Sequence, residues 1–303
     1  MSVRRRGRDI NGILLLDKPL GISSNQALTK VKHWFDAKKV GHTGSLDPLA
    51  TGMLPICFGE ATKFSQYLLE ADKQYLVDAR LGERTLTGDA EGEVIERREV
   101  NVSQNLLNEA INSFRGEIEQ IPSMFSAIKH QGKPLYYYAR QGIEIERQPR
   151  KVNIKELTLL DLKENTASFR VTCSKGTYIR TLIEDIGEKL GCGAFVSALR
   201  RTYVEPYVDK KMVTSEELKE ALQDNKQLDD YLFSIDSALS AWPTLTLTQS
   251  IAFYIRQGQP VLIPHAPTQG LVRLMTESGQ FFGVGEILVD GRVAPRRLAV
   301  GAS

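Results

Sequence analysis

Residues 41–52 read Gly41-His42-Thr43-Gly44-Ser45-Leu46-Asp47-Pro48-Leu49-Ala50-Thr51-Gly52. Three glycines and a proline in twelve residues mark a shaped loop rather than regular structure. Its single acid, Asp47, precedes Pro48, which biases the Asp47 backbone toward the extended region. From spacing alone Asp47 reads either as a turn or capping residue or as a carboxylate placed for chemistry. A loop constrained at Gly41, Gly44, Pro48 and Gly52 is a costly way to hold one acid unless its position matters, which favours a nucleophile. Upstream, Gly12 to Leu16 reads as a short buried strand ended by the turn Lys18-Pro19-Leu20-Gly21. Ser23 with Gln26 three positions on forms a capping box. Ala27, Leu28, Val31, Trp34 and Phe35 then recur on one face of a helix that ends near Ala37-Lys38-Lys39.

Downstream, strands and helices alternate without a steady βαβ rhythm. Gln74 to Leu81, Gly92 to Arg97, Lys155 to Asp161 and Thr166 to Ser174 read as strands. Helices are predicted from Ser103, with Gly116 placed to end it, from Thr177 to Leu190, and from the capping box Thr214 to Glu217. This order predicts an α+β fold: a mixed, mostly antiparallel sheet with helices packed on it. After Trp242-Pro243 the chain changes character. Leu271 to Met275, Phe281 to Val289 and Arg292 to Val300 are β-rich, with a brief helix near Ile251 to Arg256, and predict a small β-barrel. The boundary falls between about 235 and 248, giving units 1–240 and 245–303.

The chain has 303 residues, 42% hydrophobic and 25% charged, which excludes wholesale disorder and a lone small module. Cys57, Cys173 and Cys192 are scattered, as are His33, His42, His130 and His265. No disulfide framework, zinc site or other metal cluster is built this way, and a reducing cytoplasm is the expected compartment. Arg4, Arg5, Arg6 and Arg8 precede only the short apolar run Ile13 to Leu16, so neither a signal peptide nor a membrane span is expected. The net charge of +2 does not advertise a polyanionic partner, but it is uneven. From Lys129 to Lys151 six Lys or Arg face two Glu, a local +4, with Tyr136, Tyr137 and Tyr138 in the middle. Such interleaving suits either RNA or a solvated loop with half-buried tyrosines. Arg200-Arg201 and Arg296-Arg297 add further basic points.

The loop at 41–52 resembles the catalytic loop of pseudouridine synthases, specifically the bacterial tRNA pseudouridine-55 synthase (TruB) family. Asp17-Lys18-Pro19, Gly59-Glu60-Ala61-Thr62-Lys63, Lys73-Gln74-Tyr75, Ile121-Pro122-Ser123, Cys173 to Arg180 and Leu199-Arg200-Arg201 agree in order, and the tail resembles a PUA-type RNA-binding domain. One departure is Leu86, where the family usually has an acid. The resemblance implies isomerisation of a flipped-out uridine in the T-loop of tRNA, at position 55, with no cofactor and no metal. The reaction consumes nothing, in keeping with a sequence that has no nucleotide fingerprint or P-loop. By resemblance Asp47 is the nucleophile, attacking the uracil ring or the sugar or assisting sugar deprotonation. Arg180 pairs with it and depresses its pKa. Tyr75 stacks on the uracil and is a candidate base for C5, although a phenol near pKa about 10 is a weak one. Tyr178 and Leu199 line the uridine pocket, His42 meets the RNA beside the displaced nucleotide, and Lys18 and Pro19 support the loop. An insertion at about 124–152 closes over the tRNA T-arm. A monomer with no obligatory protein partner and no membrane association is expected. Two competing readings are a non-catalytic tRNA-binding protein on the same scaffold and a retaining glycoside hydrolase, which needs a second carboxylate about 5 Å from Asp47.

Overall fold

The computed structural model describes residues 7–224 and 226–299, so Arg4, Arg5, Arg6 and Val300 of the sequence readings lie outside the described residues. The chain begins with β1 (Gly12–Lys18), α1 (Ser24–Trp34), β2 (Val40–His42), β3 (Ala50–Phe58), α2 (Ser65–Glu70) and β4 (Lys73–Leu81). There follow β5 (Glu83–Thr85), β6 (Val94–Arg97), α3 (Gln104–Asn112), β7 (Gly116–Gln120), β8 (Lys129–His130), β9 (Lys133–Pro134) and α4 (Leu135–Ala139). The main sheet is completed by β10 (Arg150–Lys163), β11 (Thr166–Cys173), α5 (Ile179–Lys189) and β12 (Ala194–Val204), before α6 (Ser215–Gln223). The tail holds β13 (Thr244–Leu247), α7 (Gln249–Arg256), β14 (Gly270–Thr276), β15 (Phe281–Ile287) and β16 (Val293–Leu298).

The central sheet runs β1-β3-β12-β4-β11-β10-β7, with β2 on β3. All its pairs are antiparallel except β12 with β3, so the predicted mixed, mostly antiparallel α+β sheet is what forms. The apolar run Ile13 to Leu16 is divided by strand alternation. Leu14 and Leu16 enter the large core under α1 and α5, whereas Ile13 and Leu15 enter a second core on the opposite face. A continuous apolar run is what a strand covered on both faces requires. The capping box at Ser23 and Gln26 is realised in both directions, at 3.2 and 2.8 Å, and starts α1 where the spacing places it.

Three boundaries differ from the sequence reading. The stretch 41–52 is loop only at 43–49, because β2 and β3 pair with each other and β3 also meets β1 and β12. Gly52 belongs to β3 at φ +98°, where a Cβ would stand 2.2 Å from the Arg201 carbonyl oxygen; glycine is needed for the strands to approach. Gly116 opens β7 rather than ending α3, which Ser113 closes. The strand predicted at Lys155 to Asp161 is part of the fourteen-residue β10, whose alternation is broken by bulges near Ile154 and Leu159.

The tail forms a four-stranded sheet, β13-β14-β15-β16, with bulges in two ladders and a further bridge between Val261 and Val293. It has its own core and docks on the second core of the main sheet through Leu271, Phe281 and Val284. The Phe281 ring meets Phe64 edge-on at 5.1 Å, a contact of about 1 kcal/mol beyond its buried area. Among the described residues no helix is long and apolar enough to cross a membrane.

Candidate active site

The turn at 43–49 is held from several sides. The buried Ser24 hydroxyl accepts from the Leu46 amide at 2.7 Å and donates to the Leu46 carbonyl at 2.9 Å. The Gly21 amide donates to the Pro48 carbonyl at 2.9 Å, and the Thr43 amide to the Pro55 carbonyl at 3.1 Å. From β12, Arg201 donates to the Gly44 carbonyl at 3.1 Å and the Met53 carbonyl at 2.7 Å. The 18–22 turn beneath is itself clamped by the buried Lys18 ammonium, which donates to the carbonyls of Pro19 at 2.9 Å and Ile22 at 2.6 Å. Burial pushes the Lys18 pKa down to about 8, with the charges of Asp47 and Glu91 opposing. Lys18 and Pro19 therefore sit below the loop and outside the pocket.

Above the turn opens a cavity of about 340 Å³, at the small end for a ligand pocket. It brings together Asp47, Tyr75, Tyr178, Arg180 and Leu199. Asp47 is the only carboxylate lining it among the described residues, so the acid pair of a retaining glycoside hydrolase is not presented there. Arg180, in the first turn of α5, is buried and ties three segments together. It pairs with Asp47 at 3.0 Å and with the buried Asp89 at 3.4 Å, and donates to the carbonyls of Thr87 at 2.9 Å and Phe125 at 2.8 Å.

The direction of the Asp47 shift is the reverse of the sequence expectation. Solvent still reaches 44% of the side chain through the pocket mouth, but protein surrounds the carboxylate from below. That burial pushes its pKa above the ordinary 3.8; Arg180 and Lys18 pull it back, and the neighbouring Asp89 adds to the rise. One guanidinium divided between two carboxylates offsets less than a private partner would. Tyr75 is 9% exposed. Burial pushes its phenol above 10, against the pull of the Arg201 guanidinium beside it, so the hydroxyl is neutral near pH 7. Tyr178, at the N-cap of α5, is clamped by the Gln120 side-chain amide, which accepts from its N–H at 3.0 Å and donates to its carbonyl at 3.2 Å.

His42 is not in the pocket. It lies on β2 with Nε2 3.3 Å from Asn25 Oδ1, and Nδ1 is buried without a partner among the described residues. Burial, then Arg201, lowers its pKa, which keeps the ring neutral. Leu86 is 57% exposed, yet the segment around it is central, since Thr87 and Asp89 both hold Arg180. Sequence reasoning gave no role to Asp89, Lys73 or Ser126, and read Arg201 only as a basic point beside Arg200. Strand alternation was the available signal for two of them. Lys73 shares a face with Tyr75, and Arg201 with Leu199, and all four line the pocket.

The segment 121–149 borders the pocket through Ser126 and Ala127 and carries the β8–β9 hairpin and α4. Tyr136 and Tyr137 are exposed. Lys133 stands 4.1 Å over the Tyr137 ring and Arg140 5.5 Å over Tyr136, so cations and rings alternate on its surface.

Fold and pocket together define a pseudouridine synthase. The family model described as "TruB family pseudouridylate synthase (N terminal domain)" matches residues 32–179, that of the tRNA pseudouridylate synthase B C-terminal domain matches 180–240, and "Pseudouridine synthase II TruB, C-terminal" matches 243–299. The chain belongs to the TruB family. It is 57% identical to the tRNA pseudouridine synthase B of Yersinia pestis strain Pestoides F, over 98% of this chain and 94% of that one. The protein of the same name in Shigella boydii is 56% identical over 98% of each. Solved structures with the same fold include a Cbf5-Nop10-Gar1 complex, with a TM-score of 0.74 and 24% identity over 95% of this chain and 84% of that one. Another is an H/ACA RNP bound to a substrate RNA containing 2′-deoxyuridine, with a TM-score of 0.75 and 22% identity over 100% and 92%.

Proposed function

We propose that the chain converts the uridine at position 55, in the T-loop of tRNA, to pseudouridine, with Asp47 as nucleophile toward a flipped-out uridine. The observation that carries this reading is the 3.0 Å Asp47–Arg180 pair at the base of a small pocket walled by Tyr75, Tyr178 and Leu199. The C1′–N1 bond breaks, the uracil turns in place, C1′–C5 forms, and the C5 proton leaves as N1 gains one. Atoms balance with no cofactor. Arg180 fixes the carboxylate's aim through a side chain that is itself held at four points. Tyr75 offers its ring face to the base. Once C5 is tetrahedral its proton is acidified by the adjacent carbonyl, and the Tyr75 hydroxyl, neutral near pH 7, relays it by taking up the C5 proton as it gives up its own toward N1 or solvent.

Flipping the base costs a few kcal/mol, which contacts to the rest of the RNA must supply. The basic, tyrosine-bearing segment at about 124–152 is suited to close over the T-arm, and the unit at 245–303 to extend the RNA contact of the catalytic unit at 1–240. His42, outside the pocket, is free to fill the vacated stack. A cytoplasmic monomer working without a protein partner or metal fits this scheme, and the three cysteines are buried free thiols, as a reducing compartment allows. A merely tRNA-binding role gives no reason for a buried arginine to aim a carboxylate into a base-sized pocket. The test is incubation with unmodified tRNA followed by carbodiimide mapping. Pseudouridine at position 55 is expected; modification elsewhere, or none, overturns the proposal.

A further inference from the structure

The pocket is lined by three charged side chains besides Asp47, all of them cations, and they are not neutralised evenly. Arg180 is neutralised by Asp47 and Asp89. Arg201, 1% exposed and reaching under the Asp47 turn to Gly44, and Lys73, 6% exposed, also line it, and neither has a carboxylate within ion-pair distance among the described residues. Arg201 spends its donors on the carbonyls of Met53 and Gly44. Lys73 donates to the carbonyls of Leu68 at 3.1 Å, Leu69 at 2.7 Å and Ala71 at 2.5 Å, at the end of α2. Carbonyls solvate these cations but do not cancel their charge. Buried charge is ordinarily paired, so two unpaired cations lining the pocket form a fixed positive field aimed at whatever fills it.

Tyr75 stands in that field. It is the cross-strand partner of Arg201 in the β12–β4 register, two residues from Lys73, and its phenol lies against the Arg201 guanidinium. We infer that Arg201, backed by Lys73, is the group that stabilises negative charge on the uracil ring during isomerisation. The inference rests on the isomerase reading. It holds for each route open to Asp47: cleavage of C1′–N1 sends the bonding pair into the N1–C2–O2 system of the ring, and addition to the ring sends a pair toward O4. In both cases the base becomes the anion, and the Arg180 guanidinium is already taken by Asp47 and Asp89. The cations thus divide the work by their pairing, Arg180 aiming Asp47 and the two without a carboxylate partner serving the departing base.

A test compares uridine with 5-fluorouridine at the target position of tRNA transcripts. Fluorine makes the uracil anion less basic, and with no C5 proton its conversion reports only the breaking and re-forming of glycosidic bonds. Single-turnover loss of the N-glycoside is followed by nuclease digestion and mass spectrometry, with tRNA affinity measured by filter binding. Arg201→Gln is expected to slow uridine conversion about 100-fold and 5-fluorouridine conversion by about tenfold or less, with affinity unchanged. Arg201→Lys should recover part of the loss on uridine. Lys73→Gln should show the same imbalance at smaller size, and it carries the test if Arg201→Gln does not fold. Equal losses on the two substrates, with the parent enzyme active, overturn this inference alone. A parent enzyme that converts neither substrate overturns the isomerase reading itself.

Discussion

The turn that carries Asp47 and the segment at 121–149 border the same cavity and are built on opposite plans. The turn is seven residues long and is gripped by Gly21, Ser24, Pro55 and Arg201, contributed by three separate parts of the chain. The segment at 121–149 is several times longer, and its regular structure is a two-residue hairpin and a five-residue helix with exposed tyrosines. Its Phe125 carbonyl accepts from Arg180, whereas the Arg147 guanidinium, donating to the Pro122 carbonyl at 3.1 Å, ties the segment only to itself. The difference separates two demands. A carboxylate must be aimed to fractions of an ångström, so its support is over-determined, whereas a surface that grips a polyanion gains from area and charge.

The largest effect that would break this comparison is at Asp47. Asp47→Asn should lower single-turnover isomerisation by at least about 10⁴-fold with tRNA affinity nearly unchanged, as tritium release from C5 and filter binding would read. Retained turnover would remove the carboxylate from the mechanism. Next is Asp89→Asn, which frees half of the Arg180 pairing and should cost about 100-fold in the plateau rate. Its pH profile gives the sharper readout. Asp47 must be ionised, and its pKa is raised, so kcat/KM falls as pH drops through a value above 3.8. Removing the Asp89 charge lowers that value, and the acid limb moves to lower pH. A limb that stays in place or moves up contradicts the shared-guanidinium account.

Ser24→Ala probes the support alone. Both Leu46 backbone groups lose their partner in a buried site, at a cost of about 1–3 kcal/mol each. Tm should fall, the Leu46 amide should lose exchange protection, and the rate should fall about tenfold while affinity holds. The smallest effect belongs to the segment at 121–149. Replacing Lys129, Lys133 and Arg140 by Ala should weaken tRNA binding a few-fold and flatten the log-affinity against log-salt slope by about one for each phosphate that a removed cation had neutralised. Rates at saturating tRNA should be unchanged. A rate loss there with unchanged affinity would give the segment a share in aiming.

Much of this division was legible before any fold was known. The run Ile13 to Leu16, the box at Ser23 and Gln26 and the glycine spacing around Asp47 are local signals, and each is realised locally. β12 escaped because bulges near Val196 and Arg201 break its period of two, and because Arg200-Arg201 reads as surface when only Arg200, paired with Asp17 at 2.6 Å, is half open to solvent. The position of Asp89 depends on where the 85–89 turn lands against α5, and the sign of the Asp47 shift depends on Asp89 and on burial. Neither follows from residue spacing.

The placement of β12 also has a consequence in time. It is the last strand of the main sheet to be made, and it slots between β3 and β4, pairing Arg201 with Gly52 on one side and Tyr75 on the other. Until residue 201 has been synthesised and threaded into that gap, the Asp47 turn lacks its Arg201 clamp and Tyr75 lacks its cation. On the roles proposed above, a nascent chain already carrying Asp47, Tyr75 and Arg180 is still incomplete, and a long-range pairing of this kind is among the slower steps of folding. The pocket is complete only when the closing strand is in place.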